Sequence, residues 1–82
     1  VHEYFILTFR NTLEAIQCEN FLKEKDISLV IMPTPTSITK SCGISVKVHS
    51  EYIKKIEQFK DEGKIKIKNI YICKESKYNL VV

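Results

Sequence analysis

Eighty-two residues with 44% apolar and 28% charged side chains make a single domain, residues 1–82, of ordinary globular composition. A formal net charge of +3, spread along the chain, is too small to argue for nucleic acid, and no apolar run approaches the roughly 18 residues of a membrane span. Three cysteines without CxxC spacing and two unclustered histidines, His2 and His49, argue against a disulfide framework and against a metal site. The first residues carry no signal-peptide pattern, and the start at Val1 fits a removed initiator methionine or a trimmed chain. A reducing cytoplasm is the simplest compartment for such a chain.

Glu3 to Phe9 is aromatic and β-branched and reads as a first strand. Asn11, followed three residues later by Glu14, is a capping box and starts a helix. Ala15, Cys18 and Leu22 share one face of it, flanked by Leu13, Ile16 and Phe21, so Cys18 reads as a small buried apolar residue. Ile27 to Met32 is a second strand and Ile44 to Val48 a third. Ser50 is expected to cap a second helix with Ile53, Ile56 and Phe59 as its stripe and Gly63 as its end. Ile65 to Cys73 reads as a fourth strand. Cys73 fits there as a strand residue without chemistry, and the tail near Leu80 adds a short strand or drapes over the sheet. The lysines between Lys54 and Lys68 read as a solvated helix face and a charged edge strand.

The order strand, helix, strand, strand, helix, strand predicts an α+β two-layer sandwich, ferredoxin-like βαββαβ, with antiparallel sheet order 4-1-3-2. In that topology the first two strands point the same way. The connection after strand two then lies at the sheet end where the first helix starts, and Gly63 and Lys64 arrive there as well. Cys73 belongs to the far end.

That connection, Met32 to Gly43, holds both prolines, five hydroxyl side chains and a Cys-Gly pair. It is longer than joining two strands requires, since hairpin loops need about two to five residues. Cys42 is its only residue with distinctive reactivity. An ordinary thiol has a pKa of about 8.5, and a helix N-terminus or nearby cation lowers it. The helix start at Asn11 and Thr12, with Arg10 beside it and Lys40 two residues before the thiol, supplies both. Thr34, Thr36, Thr39 and Ser41 offer hydroxyls to an anion, Gly43 exposes backbone N–H groups, and Pro33 and Pro35 stiffen one arm. Cys-Gly at a strand start is equally a plain turn with a small residue packed beneath it. No histidine lies near enough to make a Cys-His hydrolase, His49 being at the other end of strand three.

Phe9-Arg10-Asn11-Thr12, Ala15 and Glu19, then Ile31-Met32-Pro33-Thr34-Pro35 and Ser41-Cys42-Gly43-Ile44, resemble the small bacterial family of selenium/sulfur carrier-like proteins. Members carry similar F-x-S-T-x-x-A-x-x-x-E and I-P-x-P-R-x-I-S-x-x-C-G segments, and the resemblance covers roughly the first 48 residues. It implies a compact α+β domain of anaerobic bacteria whose cysteine, here Cys42, carries sulfur or selenium as a persulfide or selenosulfide. Thr36 departs from the pattern, standing where members often have arginine, so a cation there must come from Arg10 or Lys40.

The leading reading is a sulfur or selenium carrier, exchanging its cargo with donor and acceptor proteins, rather than a turnover enzyme; it needs no cofactor. The alternative is a non-enzymatic module that binds a small ligand or a protein, with Cys42 structural. Single-stranded RNA binding would need exposed aromatics on the central strands. Tyr4 or Phe5 offers one on strand one, and strand three offers none.

Overall fold

The computed structural model describes residues 3–35, 43–75 and 77–81. Five strands and two helices follow one another as β1 (Tyr4–Thr8), α1 (Thr12–Glu24), β2 (Leu29–Pro33), β3 (Ile44–His49), a 3-10 turn (Ser50–Tyr52), α2 (Ile53–Asp61), β4 (Asn69–Lys74) and β5 (Lys77–Leu80). All strand pairs are antiparallel, in the order β2-β3-β1-β4-β5. This α+β arrangement is compatible with a ferredoxin-like fold; read from the other edge the order is β5-β4-β1-β3-β2, not a clean 4-1-3-2 sheet but that order with the tail added as a fifth strand outside β4. The tail turns back at Glu75, whose φ of 50° is left-handed, and pairs Lys77–Leu80 with β4. That fifth strand makes β4 an interior strand. The expected charged edge is therefore wrong for Lys66 and Lys68, which precede β4 in the segment leading into it.

Local signals set the start of α1 and the end of α2. The Asn11 side chain accepts the Glu14 N–H at 2.8 Å, which satisfies one of the donors a helix start leaves open. Glu14 reaches back as a capping box does, but to the N–H of Arg10 at 3.3 Å. α2 ends in a Schellman arrangement: Gly63 N–H bonds the Lys60 carbonyl and Lys64 N–H that of Phe59, with Gly63 at φ 77°. Ser50 does not cap α2. The chain leaves β3 through the 3-10 turn that contains Ser50, and Tyr52 precedes α2 without a side-chain cap.

Strand alternation divides the sheet into two faces. Phe5, Leu7, Val46, Val48 and Ile70 meet Ala15, Cys18, Leu22 and Ile56 from the helices in one core. Each large side chain buried there contributes roughly 1.5–3 kcal/mol. Phe21 and Phe59 meet edge to face at 5.0 Å and join the two helices. Leu13 and Ile16, expected to flank the core, are exposed instead. The opposite face carries Tyr4, Ile6, Lys47, Tyr71 and Tyr78, with the Lys47 ammonium 4.2 Å from the centre of the Tyr4 ring. Phe5, offered as an exposed aromatic, lies in the core.

Because β1 and β2 both run antiparallel to β3, they point the same way. β1, β2 and α2 all deliver the chain to one end of the sheet. There Lys68 N–H bonds the Thr8 carbonyl at 2.7 Å. Cys73, paired with Tyr4, lies at the far end.

Candidate functional site

The two strands that carry the Cys42 connection are locked at its roots. Beyond the last pair of the β2–β3 ladder, Pro33 with Ile44, the Thr34 N–H donates to the Gly43 carbonyl at 3.1 Å. The Thr34 and Ser45 hydroxyl oxygens are 2.6 Å apart, and Ser45 is fully buried. A buried hydroxyl left alone costs free energy, so this bond ties Thr34 to the sheet. Thr34 and Gly43 thus hold the ends of the connection together. Thr36, Thr39, Lys40, Ser41 and Cys42 lie outside the described residues.

Arg10, Asn11 and Thr12 emerge at the same end of the sheet as Thr34 and Gly43, as the topology requires. Their polar groups are partly committed. The Asn11 side-chain oxygen Oδ1 caps α1, and the Arg10 guanidinium bonds the Glu14 carboxylate at 3.1 Å. That guanidinium, above all, holds the Glu14 carboxyl below its ordinary range, against the opposing effect of burial. Thr12, the first residue of α1, is exposed.

Sequence reading missed what sits on the other side of Arg10. A cleft of about 540 Å³ opens between the start of α1, the end of α2 and the segment leading into β4. Lys60, Gly63, Lys66 and Lys68 line it together with Arg10 and Glu14. The signal was present as lysine density, but only the approach of α2's end to β1's end gathers these side chains.

The other cysteines have distinct surroundings. Cys18 is buried under α1, and desolvation pushes its thiol up to about 12. Cys73 is buried on the face away from the helices, beside Tyr4. Hydrogen bonding to Cys73, then burial and the charges of Cys73 and Tyr78, push the Tyr4 phenol up to about 12. Among the described residues no group of histidine, cysteine and carboxylate side chains is arranged to hold a metal ion, and no helix is long and apolar enough to cross a membrane.

The family model described as "Putative Se/S carrier protein-like" matches residues 3–72. The chain belongs to this family. The match runs from β1 into β4 and spans the Cys42 connection and both helices. Searches of curated proteins and of solved structures returned no match. A carrier family implies interaction with partner proteins.

Proposed function

We propose that this member of the Se/S carrier family carries sulfane sulfur, or selenium in the same role, on Cys42. The observation that carries the reading is the family match across residues 3–72, which includes that cysteine. The local frame supports it: Thr34 and Gly43 root the connection at the sheet end where α1 begins. Helix N-termini favour thiolates, and the thiolate is the nucleophile.

In the loading step the Cys42 thiolate attacks the outer sulfur of a donor persulfide. A new S–S bond forms to Cys42, the donor's S–S bond breaks, and the donor leaves as its thiolate. Cys42 then holds a persulfide, with no net oxidation, and an acceptor thiolate removes the outer sulfur by the same exchange. Arg10, Asn11, Thr12, Thr34, Thr36, Thr39, Lys40, Ser41 and Gly43 are the proposed surroundings of the anionic sulfur. A reducing cytoplasm suits this chemistry, and Cys18 and Cys73 are both free thiols.

Intact mass after exposure to a small-molecule persulfide tests the reading. Wild type should gain one sulfur atom that a reductant removes, and Cys42→Ser should not. Equal gain by both proteins would sink it. A cavity of about 400 Å³ at the far end of the sheet, lined by Tyr4, Leu29, Val30 and Lys47 among others, favours a second reading as a small-ligand module. There Cys42→Ser would leave ligand binding intact.

A further inference from the structure

The cleft beside Arg10 concentrates the protein's charge. Arg10, Lys60, Lys66 and Lys68 face a single carboxylate, Glu14, which leaves an excess of three positive charges. That equals the formal net charge of the whole chain, +3. The remaining residues sum to no formal net charge, so the residues lining this cleft carry the excess of the chain. Glu14 is engaged chiefly by the Arg10 guanidinium at 3.1 Å and more weakly by the charge of Lys66. Lys60 and Lys66 form no ion pair with a described residue.

We propose that this cleft docks an Asp/Glu-rich segment of the protein that gives cargo to, or takes it from, the carrier. The inference rests on the carrier reading for the partner's role, and on the charge distribution for its chemistry. Three features select an acidic peptide over other anions. The cleft is wide and its cations come from separate elements, α2 and the β4 approach as well as Arg10, so they suit several carboxylates spaced along a chain. Lys66, Lys68 and Arg10 are exposed and long, which gives steering and register rather than the converging buried donors that a small oxyanion needs. Among the described residues no aromatic side chain lines the cleft to stack a base, as single-stranded nucleic acid would require, whereas half-buried Ile67 offers an apolar contact. The cleft also opens at the sheet end from which the Cys42 connection leaves, so a docked partner is brought to the carrier's working end.

The test is titration of the full-length isotope-labelled protein with an acetylated, amidated hexaglutamate peptide, followed by amide chemical shifts. Shifts should centre on Arg10, Gly63, Lys66 and Ile67 and fade with added salt, as exposed charge contacts do. Lys60→Glu with Lys66→Glu should weaken binding by about tenfold or more, while Lys54→Glu with Lys55→Glu should change it by less than about twofold. The second pair removes the same charge from exposed positions of α2 that do not line the cleft. Equal losses in the two variants, or shifts scattered over the surface, would overturn the proposal. So would inorganic phosphate or an oligoribonucleotide displacing the peptide at equal charge concentration. The spectra themselves report whether each variant is folded. Peptide binding needs no persulfide, and Cys42→Ser should bind the peptide like wild type. A failed sulfur-loading test with intact peptide binding would therefore count against the carrier reading alone, and the converse against the docking cleft alone.

Discussion

Arg10 and Glu14 are joined twice: the Arg10 backbone N–H meets one carboxylate oxygen at 3.3 Å and its guanidinium meets the other at 3.1 Å. The pair clamps the chain where β1 gives way to α1. It also decides where positive charge is available at this end of the molecule, since Arg10 is largely spent on Glu14, whereas Lys60 and Lys66 form no ion pair with a described residue.

The clamp predicts an acid-sensitive fold. The Glu14 carboxyl titrates below its usual 4.5 in the folded chain, chiefly because Arg10 hydrogen-bonds it. Its stabilisation is therefore complete above the unfolded value and disappears as pH falls through the folded one. Urea unfolding between neutral and strongly acid pH should show a steeper loss for wild type than for Glu14→Gln. Parallel curves would mean that the contact contributes nothing in solution.

Cys18 predicts the opposite limb. Burial raises its thiol from 9.0 to about 12, so above pH 9.0 the unfolded chain releases a proton that the folded chain keeps. Stability should then fall with rising pH by about 1.4 kcal/mol per unit until the folded thiol itself titrates. Cys18→Ala should flatten that limb while costing roughly 1 kcal/mol at neutral pH through lost packing. Native-state alkylation should label Cys42 well before Cys18, and equal rates would show that α1 does not protect the thiol.

At the far end of the sheet, Cys73→Ala should bring the Tyr4 phenol down from about 12 towards 10.0, because the hydrogen bond to Cys73 is the main cause of its shift. Tyrosinate absorbance against pH, compared between wild type and variant, reads this directly. An unchanged titration would remove Cys73 as the cause.

Gly63→Ala isolates backbone strain. Apart from Gly63 itself and its chain neighbours, no described atom lies within 4 Å of the added methyl group, yet φ is 77°. The substitution should destabilise the chain by about 1 kcal/mol through the left-handed conformation alone. A neutral effect in thermal unfolding would mean that the helix end relaxes to another cap.

What was legible in the chain is what short-range chemistry controls. Asn11 with Glu14, Gly63 after a periodic stripe, and alternating residues in β1 and β3 each act within a few positions, so the sequence by itself determined the helices, the first four strands and the burial of Cys18. It also carried the family resemblance, which the match over residues 3–72 bears out. Ser50 misled because a hydroxyl before an apolar stripe suits a helix cap or a 3-10 turn equally, and the exit from β3 chooses between them. The fifth strand was open for a similar reason: pairing with β4 depends on an edge that exists only once the sheet has formed. The basic cleft lay furthest from view. Arg10 and Lys66 are distant along the chain, and only the tertiary structure brings the end of β1, the end of α2 and the approach to β4 to one place. Electrostatic energy depends on distance in space, so charge density along the sequence could not reveal which lysines act together.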